Sequence, residues 1–195
     1  GEVFSYLGDV LNEQKKYQQL QTLTEKWKTF LNQYFEENPT LDEEHKNLLL
    51  FYYDIACAQA ALGQDRLDDA EKMLADAKKF IGDENSYEGM TWLISQSDLR
   101  LKQGRYAEAF ELNTRRLKLI LPGEDKAIYL TVARQRAEIL SRMRRFEESS
   151  ALYAEMYYLK DSISSADTKN QLNELNTRFH VDELKMEQER TQFRN

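Results

Sequence analysis

Only one cysteine, Cys57, occurs in 195 residues, which excludes an internal disulfide framework and a multi-cysteine zinc site. Prolines number two and glycines seven, and valine is confined to Val3, Val10, Val132 and Val181. A chain so poor in helix breakers and in valine, yet rich in leucine, favours helix over sheet throughout. Long hydrophobic runs are also missing. The most apolar stretch, Leu48 to Leu62, is interrupted by Asp54 and Gln59, and it falls short of the ~20 apolar residues that a membrane span needs. Positive charge is in deficit too. The formal net charge of −7 argues against a nucleic-acid partner, whose phosphates would want a basic face.

What is present is repetition. A bulky residue sits at Tyr17, Leu67, Tyr106 and Phe146, and three positions after each comes Leu20, Ala70, Ala109 and Ser149. A small residue precedes three of these anchors by nine positions (Gly8, Ser97, Ala137) and Leu67 by eleven (Ala56). The second copy is therefore expected to carry two extra residues before Leu67. Four copies of a helical-hairpin signature predict an array of four hairpins over 1–165, followed by a charged helix over 166–195. The anchors are separated by 50, 39 and 40 residues. The surplus over the usual helical-repeat period is assigned to long second helices and connecting loops.

Local signals place the boundaries. Asn38-Pro39 ends the first hairpin, because proline cannot continue the hydrogen-bond ladder and its predecessor avoids helical angles. Thr40 with Glu43 reads as a capping box opening the next helix. Gly82 to Ser86 separates the second hairpin from the third, which turns at Gly104 and closes at Pro122-Gly123; the fourth turns around Arg144-Arg145. Beyond Asp167 the signature stops, and Leu172, Phe179, Met186 and Phe193 fall on a seven-residue spacing. Such spacing favours a helix that winds round a partner. The companion positions Leu175, Asp182 and Glu189 leave half the seam polar, so any homodimer through this helix would depend on tethering.

Small residues at helix crossings, a bulky residue at the turn and a small one early in the second helix resemble the tetratricopeptide pattern. Close approach of two helices tolerates little more than Gly, Ala or Ser at the contact. The resemblance implies an all-α, TPR-like α-solenoid. A second resemblance lies in Tyr158-Leu-Lys-Asp-Ser-Ile163 and in the stretch from Gln171 to Glu187. These residues are similar to the end of the repeat region in Bacteroidetes-type tetratricopeptide sensor histidine kinases and related regulators, although Phe179-His180 stands where that family usually has Tyr-Glu. The resemblance implies a periplasmic sensory or scaffolding domain of a membrane-anchored signal-transduction protein, with the membrane reached only through a downstream segment. The start at Gly1-Glu2, on helix-like sequence without a signal peptide, reads as a piece of a longer protein. A free-standing adaptor, cytoplasmic or periplasmic, is the alternative.

Chemistry finds little purchase in this composition. His45 lies among Asp42, Glu43 and Glu44, and His180 lies on the terminal helix; neither has the convergent ligands that a metal requires. Cys57 has an apolar helical neighbourhood and reads as an inert thiol. No glycine-rich phosphate loop or histidine-centred triad is present, so neither catalysis nor a cofactor is expected. The expected functional surface is the concave face of an array, formed by the first helices of successive hairpins. Its candidate groove residues are Tyr53, Cys57, Ile94, Asp98, Leu101, Arg134 and Glu138, facing a peptide or protein partner. Tyr53 and Ile94 would be apolar anchors, and Asp98 or Arg134 polar contacts.

Overall fold

A computed structural model describes residues 2–120 and 126–162. It is all helical, with no strand among the described residues. Four helix pairs follow one another: α1 (Glu2–Glu13) with α2 (Tyr17–Glu37), α3 (Glu43–Gly63) with α4 (Leu67–Lys78), α5 (Tyr87–Lys102) with α6 (Tyr106–Lys118), and α7 (Lys126–Arg142) with α8 over residues 146–162. Pro122-Gly123 and the terminal stretch from 166 lie outside the described residues.

One turn recurs in all four pairs. Lys15, Asp65, Gly104 and Arg144, each two residues before an anchor, adopt positive φ of 56°, 56°, 74° and 61°. The next N–H donates five residues back, from Lys16 to Leu11 O, Arg66 to Ala61 O, Arg105 to Arg100 O and Arg145 to Leu140 O, at 2.8–2.9 Å. The positive-φ residue itself donates three residues back in every copy. This is the Schellman closure, which satisfies carbonyls that the helix end would otherwise leave bare. Only Gly104 adopts that conformation free of Cβ strain; the three other side chains cost about 1 kcal/mol each there. The residue between turn and anchor is always basic, and Arg66, Arg105 and Arg145 pair with Asp69, Glu108 and Glu148 at 2.6–2.7 Å. In the first copy Gln19 stands at the acidic position.

The shared turn corrects the repeat register of the second copy. With the positive-φ residue at Asp65, the position nine before Leu67 is Ala58, fully buried like Ser97 and Ala137. There are no extra residues. Ala56 instead faces the preceding pair, in the cluster with Leu20, Trp27 and Ala60. The crossing pairs are then Gly8–Leu20, Ala58–Ala70, Ser97–Ala109 and Ala137–Ser149. In the third, Ser97 Oγ donates to Ala109 O at 2.8 Å; in the fourth, Ser149 Oγ donates to Ala137 O at 2.8 Å, so the hydroxyl has changed helices while the contact persists. In the first, glycine makes room for leucine: a Cβ on Gly8 would lie 3.7 Å from Leu20 Cδ1.

First and second helices bury differently. α3 buries Phe51, Ile55, Ala56, Ala58, Ala60, Ala61 and Leu62 around most of its girth, whereas α4 buries one stripe, Ala70, Leu74 and Ala77. α3 and α5 each pack on their own partner, on the second helix of the pair before, and on the neighbouring first helices; α7 packs on α6 and α5, and Ser149 of α8 bonds back to its Ala137. A helix apolar on several sides must sit inside, and one with a single stripe outside. Boundaries follow local chemistry. α2 stops at Glu37 before Pro39, as the proline requires. The cap of α3 is Asp42, not Thr40: its side chain accepts from His45 N at 2.8 Å. α5 is capped by Ser86, which accepts from Gly89 N at 3.1 Å.

Candidate functional site

Contacts of α1 with α3, α3 with α5, and α5 with α7 place the first helices side by side on one face. Asp98, Arg134 and Glu138 meet there. Burial pushes the Asp98 carboxyl up to about 6; the Gln135 hydrogen bond opposes this, Glu138 reinforces it, and Lys102 and Arg134 oppose it again. Arg134 and Glu138 are exposed, while Ile94 and Leu101 are half-buried on the same helix as Asp98. Towards the first pair, Tyr52 donates from its hydroxyl to Glu88 Oε1 at 3.2 Å. Asp9 is raised by burial and by Glu13 and lies close enough to Tyr52 to act on it.

Tyr53 and Cys57 do not share that face. The Tyr53 ring meets Trp27 of α2 edge-on at 6.1 Å. Burial pushes the Cys57 thiol up, against hydrogen bonds from the Tyr53 and Thr24 hydroxyls. Both residues belong to the joint between the first and second pairs. Their assignment to the groove came from reading Ala56 as the crossing residue; with Ala58 in that role, Ile55 and Gln59 are in register with Ile94 and Asp98. The row equivalent to Asp98 then reads Asp9, Gln59, Asp98 and Glu138.

A polar chain beneath this face ties three helices together. Gln135 Nε2 donates to Ile94 O at 2.8 Å and to Asp98 Oδ1 at 2.6 Å. Its Oε1 accepts from Asn113 Nδ2 at 2.9 Å, and the same nitrogen reaches Val132 O at 3.0 Å. Arg136 donates to Asn113 Oδ1 at 3.3 Å and to Thr114 Oγ1 at 2.9 Å, with its guanidinium 4.2 Å from the Phe110 ring centre. Asp98 is thus fixed in place from behind.

The opposite face holds a feature that sequence reasoning missed. A cleft of about 450 Å³ opens between α4, α5 and α6, lined by Glu71, Lys78, Trp92, Arg100, Glu108 and Arg115 among others. Its cations are engaged: Arg100 with Glu71 at 2.8 Å and Glu108 at 3.5 Å, Arg115 with Glu84 at 2.6 Å, and Lys78 over the Trp92 ring at 4.8 Å. The sequence signal was the Trp92, Gln96, Arg100 spacing, one residue per helical turn along α5. Elsewhere, burial and the facing Asp76 push Asp54 up to about 7, moderated by Lys79. His45 is exposed. No group of three or more His, Cys, Asp or Glu side chains could hold a metal, and no helix is long and apolar enough to cross a membrane, among the described residues. No known protein family, curated protein or solved structure matches the chain.

Proposed function

We propose that this chain is a tetratricopeptide-type α-solenoid that binds a peptide or protein partner along its first-helix face, without catalysis in this segment. The carrying observation is the convergence of Asp98, Arg134 and Glu138 beside half-buried Ile94 and Leu101, with Asp98 anchored from behind by Gln135. Fixed polar groups flanked by apolar surface suit recognition of a peptide, in which a few anchors carry most of the binding energy. Within this reading the chain is the periplasmic sensory part of a membrane-anchored regulator. That part of the proposal rests on the similarity of Tyr158–Ile163 and Gln171–Glu187 described above. A free-standing adaptor remains the second reading, supported by the same face.

Peptide-library capture with the purified chain tests the first part. Replacing Arg134 and Glu138 by serine should weaken a selected peptide by at least tenfold while replacing Glu71 and Arg115 should not. The reverse pattern would move the site to the cleft between α4, α5 and α6. Extending the reading frame separates the two settings, since a regulator needs ~20 consecutive apolar residues downstream and an adaptor does not.

A further inference from the structure

One position sets the three joints between pairs apart. The residue just before the crossing on each incoming first helix is Cys57, Gln96 or Arg136. Cys57 is hydrogen-bonded to the Tyr53 and Thr24 hydroxyls, and Arg136 bonds Asn113 and Thr114 while covering the Phe110 ring. Gln96 is 9% exposed, and its side-chain amide has no hydrogen bond among the described residues. It lies on the α5 floor of the cleft of about 450 Å³, between Trp92 and Arg100, with α4 and α6 as walls. Leaving a buried amide without a partner costs about 1–3 kcal/mol. At the middle joint alone, then, the space beside this position is open and the amide facing it is unused.

We propose that this cleft binds a dipeptide or tripeptide with free termini. The Gln96 amide offers both an acceptor oxygen and N–H donors, the complement of the C=O and N–H of a peptide group. The lining sets three cations, Lys78, Arg100 and Arg115, against three carboxylates, Glu71, Glu108 and Glu111. Such a balance suits a ligand that carries both signs and no net charge. Glu111 is exposed and has no ion pair among the described residues; it receives the ligand's ammonium group. One turn further along α6, Arg115 receives the carboxylate. Its pair with Glu84 at 2.6 Å joins two half-exposed side chains, and a surface pair of that kind is exchanged at little cost. Residues four apart on a helix stand about 5–6 Å apart at Cβ, and two extended residues span about 7 Å, so both ends of a short peptide reach their partners. Ala75, Leu112 and Trp92 give its side chain an apolar wall. The cleft volume lies in the range of small-molecule sites, about 300–1,000 Å³. This site is separate from the first-helix face and does not depend on the role proposed for it.

Calorimetric titration of the full chain with alanylalanine and leucylalanine tests this, with their N-acetyl and C-amide forms alongside. Saturable binding of a free dipeptide is expected, weakened about tenfold by either blocking group. Gln96→Met, similar in size but without the amide, should weaken it by about as much. Glu111→Gln, on exposed surface, should abolish the penalty of N-acetylation while keeping that of amidation, a pattern that loss of folding does not produce. Arg134→Ser with Glu138→Ser should leave dipeptide binding unchanged, which separates this site from the first-helix face. No binding at millimolar dipeptide would overturn the proposal. So would indifference to both blocking groups, an unaffected Gln96→Met, or loss of binding in the Arg134→Ser, Glu138→Ser variant.

Discussion

The joint between the first and second pairs is aromatic, and the joint between the third and fourth is polar. Trp27 lies between Phe4, stacked at 5.6 Å, and Tyr53, edge-on at 6.1 Å, above Leu20, Leu31, Ala56 and Ala60. The other joint holds Asn113, Gln135, Arg136 and Thr114, bonded to one another and to backbone carbonyls. The two interiors do the same mechanical work with opposite chemistry. An aromatic joint tolerates sliding, since dispersion and burial are non-directional; a hydrogen-bonded joint allows one register, because a displaced buried donor loses its partner at about 1–3 kcal/mol. The polar joint lies behind Asp98 and keeps that carboxylate in a defined place.

The two joints can be set against each other by mutation. Trp27→Ala should have the largest effect, about 3–5 kcal/mol in denaturant unfolding, because the void left between Phe4 and Tyr53 is walled by rigid helices. Asn113→Ala should cost about 2–3 kcal/mol, since it strands Gln135 Oε1 and Val132 O in a buried place. Asn113→Leu should recover little of that, whereas Trp27→Phe should recover much of the first loss. Equal recovery at both sites would erase the distinction drawn between directional and non-directional packing.

Gly89→Ala sharpens the picture at the entry to α5, where an added Cβ would run into the Glu84 carbonyl oxygen. Backbone must yield there, at about 1–3 kcal/mol, visible as a Tm loss with unchanged helical circular dichroism. Smaller effects belong to the charged groups. Asp98 titrates near 6 and Asp54 near 7 in the folded chain, above the ordinary 3.8. Their folded forms therefore hold protons that the unfolded chain releases, so stability from these groups grows as pH falls from 8 towards 4. Asp54→Asn should flatten that slope in urea midpoints measured across the range. A slope unchanged by Asp54→Asn would remove Asp54 from the balance. Smallest of all, Asp65→Gly in the αL turn should stabilise by up to about 1 kcal/mol.

The helical class and three of the four crossing residues were legible because each depends on local rules: breaker scarcity, the anchor, and a small residue one crossing away. The second copy was not. Leu48 to Leu62 carries Ala56, Ala58, Ala60 and Ala61 within six positions, and size alone cannot choose among alanines. What chooses is the turn, whose positive-φ residue is Asp65 where glycine would have advertised it. That two-residue slip moved Tyr53 and Cys57 onto the groove list, whereas Ile94, Asp98, Leu101, Arg134 and Glu138 were counted from the correct crossings. The cap at Asp42 was hidden for a similar reason, since Thr40 and Asp42 both precede acidic residues and only geometry selects one. Of the cleft at Trp92 the sequence shows one wall only, the Trp92, Gln96 and Arg100 row of α5, because the other walls come from two further helices.

The central claim is that every pair is held by one small contact, nine before and three after the anchor, with Ala58 facing Ala70. A double-mutant cycle in urea tests it most directly. Ala70→Leu overfills the contact and should cost about 2–3 kcal/mol; adding Ala58→Gly recreates the Gly8–Leu20 arrangement and should return more than 1 kcal/mol of it through coupling. Rescue by Ala56→Gly in place of Ala58→Gly, or by neither, would contradict the register and the face built upon it.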